Sequence, residues 1–277
     1  MKKARWIIQD NLIAENDKNQ FQKACDNLGI AHYEVKVVPF SEELPEFPVD
    51  DEHENIYYGS TSFINNVYKN FSSPIGVFYN HETFSIENYI DKWGEHMLNC
   101  DGEIITVAEF IDRDEDFPTP MFLRPDGDGK EFDGQVGDEN ELRNMLRRML
   151  NYESPLTLDS KLYLGPAYNI HREWRNYIIN GKVITSSRYR SNFRLSKSAD
   201  DIPGDMIAFV EERCKEYQPH DVFAMDIAET RHDDGEIRYY IIECGCMNSV
   251  GFYHADINKY VDSITSYVAN KSLTVGA

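Results

Sequence analysis

Two acidic residues, Asp226 and Glu243, stand in apolar segments on either side of an Asp-Gly pair. The segments read VFAMDIAE and IRYYIIECG, and the pair between them is Asp234-Gly235. An Asp-Gly pair between such segments is a strong signal for a β-hairpin with a two-residue loop. In that register Asp226 and Glu243 occupy facing positions, and their carboxylates point to the same side of the sheet.

Two facing carboxylates are a candidate metal site. Like charges at facing positions, roughly 5 Å apart, destabilise a sheet, so one carboxyl must be protonated or a cation must lie between them. Mg²⁺ prefers oxygen ligands, and the small neighbours Ala224, Ala228 and Gly245 leave room for a bound phosphate. Two alternatives stay open here: a solvent-facing hairpin with unrelated acids, and a Mg²⁺ or Ca²⁺ site without a nucleotide.

A second hairpin is predicted at Asn180-Gly181, which separates the segments REWRNYII and KVITSSRYR. Asn-Gly favours a two-residue type I′ turn. That register predicts three facing pairs: Arg175 with Ser186, Glu173 with Arg188, and His171 with Arg190. One face would then carry an acid and three arginines: Glu173, Arg175, Arg188 and Arg190. Arginine forks bind phosphates and carboxylates, so this face is a candidate anion site; a decorative surface ion pair is the alternative.

A third candidate is the glycine-rich segment PDGDGKEFDG at 125–134, which contains Lys130. Backbone N–H groups of such a loop can approach phosphate oxygens, and the lysine adds positive charge. The segment is not a P-loop, because Lys130 is not followed by Ser or Thr and no helix is predicted to start there. It is one residue too long for the Lys-x-Asp-Gly motif of nucleic-acid ligases. A nucleotidyltransferase or RNA ligase that adenylates Lys130 stays open as an alternative.

Sequence periodicity places these segments in a mixed α/β (α+β) fold. About the first 80 residues alternate strands and helices, which predicts a small α/β domain. Its strands are predicted at 5–12, 33–38, 56–58 and 75–79, and its helices at 17–29, capped by Asp17, and 61–69. Beyond it, helices are predicted at 85–99, 138–151, 208–217 and 256–268, and strands at 104–110, 119–124 and 162–164, besides the two hairpins.

Composition limits the class of protein. The chain has 277 residues, 41% hydrophobic content and a net charge of −20. That charge argues against binding to nucleic acid or to anionic membranes, because both attract basic surfaces. The five cysteines are scattered and the basic start MKKARW shows no signal peptide. No apolar run approaches the ~20 residues of a membrane span, so a cytoplasmic protein is expected.

The order of these motifs resembles the ATP-grasp superfamily of carboxylate–amine ligases. An apolar strand ending in FLRP is followed by the Gly/Lys loop, a Glu-x-Arg hairpin with trailing arginines, and an acid in each of two later strands. The spacing FLRP-x₄-Lys-x-Phe-x-Gly, Trp174, the SSRYR run and the segment from Ser249 to Tyr253 are similar to the R2K clade of that superfamily. The resemblance extends from about Ser85 to Val268.

The resemblance implies an ATP-grasp fold, in which two α+β subdomains grip a nucleotide. It implies an N-terminal α/β domain at 1–84 and an ATP-grasp domain at 85–277, divided into a central subdomain at about 85–165 and a C-terminal subdomain at 166–277. The implied activity joins a small-molecule or peptide carboxylate to an amine through an acyl phosphate, with release of ADP. The implied cofactors are ATP and Mg²⁺, with Mn²⁺ as an alternative. Dimers are common in the superfamily, so a homodimer is compatible with the resemblance.

The same resemblance implies roles for individual residues. They are Arg188, Arg175 and Lys130 for catalysis; Arg124, Lys130, Tyr163, Leu164 and Glu173 for ATP; Arg190 and Tyr253 for substrate; and Asp226 and Glu243 for the metal ion. The family has a further metal ligand, an asparagine, two residues after the second acid. Here Gly245 occupies that position, and Asn248 is the candidate replacement. This departure leaves open a non-catalytic relic that binds a nucleotide without turnover.

Overall fold

The computed structural model describes residues 2–11, 14–38, 41–72, 74–113, 119–127, 131–152, 155–232 and 235–275. In these ranges the chain forms twelve strands and seven α-helices, and the strands make three sheets. The predicted mixed α/β class is confirmed. None of the helices in these ranges is long and apolar enough to cross a membrane.

A parallel three-stranded sheet is built from the start of the chain. Its strands are β1 (Lys3–Gln9), β2 (His32–Val35) and β3 (His53–Tyr58), in the order β2-β1-β3. Helices α1 (Glu15–Leu28) and α2 (Thr61–Phe71) follow β1 and β3. The central strand β1 is buried from its second residue onward, as expected for a parallel strand that is covered on both faces.

Two local predictions in this region are wrong. The segment 75–79 is not a strand, because Val77 N donates to Pro74 O in a turn and a single bridge joins Gly76 to β3. Helix α1 begins directly after Ala14, so Asp17 lies inside its first turn and is not the N-cap. The end of α1 is as predicted: Gly29 has a φ of 65°, the left-handed conformation that glycine adopts without strain.

An antiparallel four-stranded sheet carries the FLRP segment. It consists of β4 (Glu103–Thr106), β5 (Met121–Pro125), β6 (Gln135–Gly137) and β7 (Lys161–Pro166), in the order β4-β7-β5-β6. Its helices are α3 (Ile86–Trp93), α4 (Val107–Asp112) and α5 (Glu139–Leu150). The predicted strand 104–110 is too long, because Thr106 and Glu109 form a reciprocal capping box that starts α4. Helix α5 begins after Asp138, its predicted cap, whereas β6 was not predicted.

The side chains of this sheet divide between a core and the opposite face. Leu123 faces Leu164 across β5 and β7, and both are buried together with Leu142 of α5. Arg124 and Tyr163, each adjacent to one of these leucines, also face each other. Because side chains alternate along a strand, Arg124 and Tyr163 point to the side of the sheet opposite this core.

A five-stranded sheet contains both predicted hairpins. Its strands are β8 (Arg172–Ile179), β9 (Lys182–Ser191), β10 (Arg194–Ser198), β11 (Val222–Arg231) and β12 (Ile237–Gly245), in the order β10-β9-β8-β11-β12. Helix α6 (Gly204–Glu216) precedes β11, and α7 (Ile257–Val275) follows β12. The predicted turn between β8 and β9 is confirmed, because Asn180 and Gly181 have φ values of 48° and 73°. Strand β10 was not predicted, since RLSKS lacks a run of apolar residues.

Two β-bulges change the register of β8 and β9. They lie next to Tyr177 and next to Glu173, and each inserts one extra residue on β9. Every pair beyond a bulge is displaced, so the three predicted facing pairs are wrong. The observed pairs are Arg175 with Ser187, Glu173 with Arg190, and Trp174 with Arg188.

The loop between β11 and β12 also differs from the prediction. His232 N donates to Glu236 O at 3.0 Å, and Gly235 N donates to His232 O at 2.9 Å. His232 and Glu236 therefore face each other with three residues between them, and the predicted two-residue loop is wrong. Asp233 and Asp234 lie outside the described residues. The prediction that Asp226 and Glu243 face each other depended on a two-residue loop. The observed loop therefore removes the basis of that prediction.

The chain forms two compact units, both discontinuous in sequence. The first unit contains Met1–Asn80, Arg172–Asp226 and Cys244–Ala277. The second unit contains His81–His171 and Ile227–Glu243. The domain boundaries predicted from the sequence, after residues 84 and 165, stay predictions.

Candidate active site

In the second unit, Arg124 and Glu243 form an ion pair. Nη2 of Arg124 on β5 lies 2.6 Å from Oε2 of Glu243 on β12. The two side chains are 13% and 30% exposed, so the pair is partly open to solvent. A guanidinium group that can bind phosphate therefore lies beside a carboxylate that can bind a metal ion, which is the chemistry that the two predicted roles need.

Tyr163 and Leu164, predicted near the adenine base, have buried side chains. The Tyr163 hydroxyl lies against the backbones of Gly102 and Gly165, where a Cβ atom would not fit, and burial raises the pKa of Tyr163. A nucleotide could reach backbone groups of this segment rather than these side chains. A cavity of about 270 Å³, lined in part by Leu164 and Gly165, adjoins it. Its volume is close to the lower limit of ligand pockets, roughly 300 Å³.

The glycine-rich loop is fixed at both of its described ends, while Lys130 lies outside the described residues. At the first end, Asp126 accepts hydrogen bonds from the first two backbone N–H groups of α3, at 3.0 and 2.8 Å. Burial raises the pKa of Asp126. At the other end, a Cβ atom at Gly134 would lie 2.7 Å from the ring of Phe122. The ends of the loop are therefore located, and the role of Lys130 stays a prediction.

In the first unit, Asp226 is held by a bidentate ion pair with Arg175. Nε and Nη2 of the guanidinium group each lie 2.8 Å from an oxygen of the carboxylate. The side chain of Asp226 is only 5% exposed. Burial alone would lower the pKa of Arg175, but the charge and hydrogen bonds of Asp226 outweigh burial and raise it. The negative charge of Asp226, a predicted metal ligand, is therefore balanced by the adjacent guanidinium group of Arg175.

Glu173 and Arg190 share one face of the sheet with Arg175. Glu173 faces Arg190 across the strands, and its Oε2 lies 3.8 Å from Arg190 Nη1. Glu173 is buried, whereas the Arg190 side chain is 54% exposed. This ion pair therefore leaves the guanidinium group of Arg190 accessible to a ligand.

Arg188 lies on the opposite face. It faces Trp174, and its guanidinium group binds the carboxylate of Asp201 and both oxygens of Ser196. The prediction of one face with three arginines is therefore wrong, because the bulge at position 189 turns Arg188 away from Arg175. Two of the arginines, Arg175 and Arg190, share the face.

Tyr253, predicted at the substrate site, stacks on Tyr189 beside Arg175. The two rings have centroids 4.9 Å apart and planes 14° apart, and the guanidinium carbon of Arg175 lies 5.2 Å from the Tyr253 centroid. Nζ of Lys197 lies 5.7 Å from the same centroid. Tyr189 and Lys197 were missed because one occupies a bulge and the other lies on the unpredicted strand β10. The SSRYR run was the signal that could have indicated Tyr189.

Asn248, the predicted replacement ligand, forms hydrogen bonds with the backbone through its side-chain amide. Its Nδ2 donates to Tyr57 O at 2.6 Å and to Gly76 O at 2.9 Å, and its Oδ1 accepts from Phe78 N at 2.7 Å. The residue is 1% exposed. Because its amide binds three backbone groups of the first unit, we leave Asn248 out of the metal site proposed below.

The donor types fit Mg²⁺ together with a nucleotide. Among the described residues, no group of three or more His, Cys, Asp or Glu side chains could hold a metal ion by itself. Mg²⁺ is usually bound by one or two carboxylates, with waters and phosphate oxygens as the other ligands. Asp226 and Glu243 are such carboxylates, and each lies next to an arginine.

Comparison with solved structures agrees with this architecture. The chain resembles D-cycloserine synthetase DcsG with a TM-score of 0.62 and 12% identity, over 96% of this chain and 99% of the other. It resembles D-alanine–D-alanine ligase from Bacillus anthracis with a TM-score of 0.55 and 12% identity, over 99% and 98%. It resembles the ATP-grasp ligase PsnB, complexed with a minimal precursor, with a TM-score of 0.53 and 11% identity, over 97% and 100%. At such identities the likeness shows the fold alone.

A comparison with curated proteins by sequence found no match. A family model does match: the model of the ATP-grasp domain, R2K clade family 3, covers residues 47–264. That range extends from the loop before β3 into α7 and contains all the predicted site residues. The predicted ATP-grasp fold and the predicted clade are both confirmed. The chain belongs to family 3 of the R2K clade of ATP-grasp domains.

Proposed function

We propose that this protein is an ATP-dependent ligase that joins a carboxylate to an amine through an acyl phosphate, with release of ADP. Membership of an ATP-grasp family supports the ATP-dependent ligase. The fold that the chain shares with D-alanine–D-alanine ligase and D-cycloserine synthetase supports the joining of a carboxylate to an amine as the reaction. The observation that carries the proposal is the Arg124–Glu243 ion pair, since it sets a phosphate-binding cation beside a potential metal ligand.

In this proposal ATP, bound with Mg²⁺ or Mn²⁺, supplies the phosphoryl group that activates the carboxylate. Arg124 would bind and position its phosphates, and Asp226 and Glu243 would hold the metal ion. Fixed positive charge next to a phosphoryl group stabilises charge that develops during transfer. The resemblance to the family adds four further contacts with ATP: Lys130, Glu173, and the backbone at Tyr163 and Leu164.

The reaction consists of two transfers. A carboxylate oxygen attacks the γ-phosphorus, the bond to the β-phosphate oxygen breaks, and ADP leaves with that electron pair. The amine nitrogen then attacks the acyl carbon, inorganic phosphate leaves, and the nitrogen loses a proton. Arg175, Arg190 and Tyr253 would position the acid. Arg188 is left out of this set because it points to the other face of the sheet.

The test is calorimetric titration of the full chain with ATP, with and without Mg²⁺. Arg124→Gln should weaken binding about tenfold, equivalent to about 1.4 kcal/mol. Glu243→Gln should chiefly reduce the gain in affinity that Mg²⁺ provides. Arg113→Gln is the matched control, because Arg113 also pairs with a glutamate of the second unit, Glu103. Asp226→Asn is less suitable, since it would leave the buried charge of Arg175 without its carboxylate.

Binding by the wild type that Arg124→Gln weakens and Arg113→Gln does not would support the nucleotide site. Acids and amines could then be screened for release of ADP. Absence of ATP binding by the wild type, or equal effects of the two substitutions, would contradict the proposal.

Gly245 favours one second candidate, a member of the family that binds a nucleotide without turnover. It lacks a donor side chain at the position where the family pattern has a metal-binding asparagine. ATP binding without release of ADP across the acids and amines would favour this candidate. A cytoplasmic location and a homodimer stay proposals for either function.

A further inference from the structure

One face of the β8–β9–β10 region carries two solvent-facing cations beside a stacked pair of tyrosines. The guanidinium carbon of Arg190 lies 5.9 Å from the centroid of Tyr189, and Nζ of Lys197 lies 5.7 Å from the centroid of Tyr253. The rings stack on each other at 4.9 Å. All four residues belong to the first unit. We call these four residues the tyrosine–cation face.

The charges around the tyrosine–cation face are unevenly accessible. The acids Glu173 and Asp226 are each only 4% exposed, whereas Arg190 and Lys197 are exposed. Among the described residues, no carboxylate lies within ion-pair distance of Lys197 Nζ. Asp17 is the acid whose pKa responds to Lys197: burial raises the pKa of Asp17, and the charge of Lys197 opposes that rise. A ligand that approaches from solvent would therefore meet positive charge first. This is unexpected for a chain of net charge −20.

The fold holds the tyrosine–cation face in place. Tyr253 has a φ of 54°, a conformation that bulky residues adopt only when their surroundings enforce it. Two buried hydroxyl groups fix the preceding backbone, since Tyr58 donates to Val250 O at 3.0 Å and Tyr177 donates to Gly251 O at 2.7 Å. Tyr189 is the extra residue of a β-bulge, a device that redirects a side chain.

We propose that the tyrosine–cation face binds a second anionic group of the substrate, so that the acid to be activated is polyanionic, either a free dicarboxylate or an acidic peptide. This inference rests on the proposed function and names the class of its acid substrate. Arg190 binds carboxylate oxygens through parallel hydrogen bonds, and Lys197 adds a second charge. The two rings provide a rigid wall between them.

The experiment titrates the full chain, without ATP, with triglutamate, with glutarate and with the neutral peptide triglutamine. Wild type should bind an acidic ligand and not triglutamine. Arg190→Gln and Lys197→Gln should each weaken that binding by about fivefold, the upper range for one exposed ion pair. Arg194→Gln is the matched control. It removes an exposed arginine of β10 that faces Ser191 and therefore points away from Arg190.

Triglutamate binding without glutarate binding would identify an acidic peptide as the ligand, and comparable binding of both would identify a free dicarboxylate. The proposal is overturned if neither acid binds, or if Arg194→Gln weakens binding as much as Arg190→Gln. ATP titration of the same variants separates the two hypotheses. Failure of the wild type to bind ATP would contradict the proposed ligase function. ATP binding without acid binding would contradict only the proposal of a polyanionic substrate.

Discussion

At the scale of single residues, the two acidic residues predicted as metal ligands each lie beside an arginine. Asp226 is paired with Arg175 in a buried bidentate contact, and Glu243 is paired with Arg124 in a more open one. Removing one partner of a buried pair costs about 3–5 kcal/mol, because the other charge stays buried without compensation. Substitutions at Asp226 therefore report on stability as well as on metal binding, whereas substitutions at Glu243 separate the two.

Gly245→Asn should restore a metal ligand without disturbing the fold. A Cβ atom at Gly245 would lie 3.4 Å from Cγ1 of Val250, which is an ordinary contact. The variant should therefore bind Mg²⁺, in the presence of ATP, about tenfold more tightly than the wild type, or about 1.4 kcal/mol. Calorimetric titration with Mg²⁺ measures the change, with urea unfolding as the check on stability.

Gly245→Ala is the control for this substitution, because it adds the Cβ atom without a donor. Equal Mg²⁺ affinity of the alanine and asparagine variants would show that the amide does not reach the ion.

His220 should make stability depend on pH. Burial lowers the pKa of His220 to about 4, from the 6.5 of an ordinary histidine, and its Nδ1 accepts a hydrogen bond from Val222 N at 3.0 Å. Below pH 6.5 the unfolded chain takes up a proton that the folded chain does not, so the free energy of unfolding falls as the pH drops toward 4. Between pH 7 and pH 5 the loss from this residue should be at most about 2 kcal/mol.

The measurement is urea unfolding of wild type and His220→Asn at both pH values. The asparagine oxygen can replace Nδ1 as the acceptor and does not titrate. The wild type should lose more stability than the variant over this interval, while above pH 6.5 both should be insensitive to this group. Equal losses in the two proteins would contradict a buried neutral histidine.

At the scale of elements, a local signal determines the turn between β8 and β9, whereas bulges determine which residues pair along these strands. Asn180-Gly181 fixes the turn locally, and Ile179 faces Lys182 as a regular two-residue loop requires. The two bulges then displace the register by two residues, so Glu173 pairs with Arg190 and not with Arg188. Bulges depend on packing around the strands, so no dipeptide in the sequence predicts them.

Gly181→Ala should destabilise this hairpin. Gly181 has a φ of 73°, which alanine adopts only with strain, while the added Cβ atom would meet Cys214 Cβ at an ordinary 3.5 Å. The cost should be about 1–2 kcal/mol and should come from the backbone. Gly204→Ala at the start of α6 is the control, because nothing lies within 4 Å of its Cβ position. That variant should be neutral or gain about 0.4–1 kcal/mol.

Urea unfolding of both variants measures these changes. A Gly181→Ala variant as stable as the wild type would show that the turn relaxes to another type. The consequence should extend to function, because β9 carries Arg190 and Tyr189 beyond the turn.

At the scale of the whole molecule, the chain leaves its first compact unit for the second and returns to it twice. The second unit takes the central segment His81–His171 and returns for Ile227–Glu243. Strand β11 is divided at Asp226, so a candidate metal ligand is the last residue assigned to the first unit. A sequence read in order suggests consecutive domains, whereas compact units are defined by contacts, and these bring distant segments together.

The sequence by itself determined the fold class, the family, and most helices and strands. Local signals sufficed for these, because apolar periodicity, caps such as Asp138, and the turn at Asn180-Gly181 act within a few residues. The ordered motifs from FLRP to the last acid then sufficed for the ATP-grasp resemblance, which the family match confirms.

Only the tertiary structure decided which side chains share a face of a sheet and which polar groups are engaged in hydrogen bonds within the protein. Bulges turned Arg188 away from Arg175 and brought Tyr189 against Tyr253. Distant backbone groups engaged the amide of Asn248. These outcomes depend on contacts between residues far apart in the chain, where an offset of one residue moves a side chain to the opposite face of a sheet.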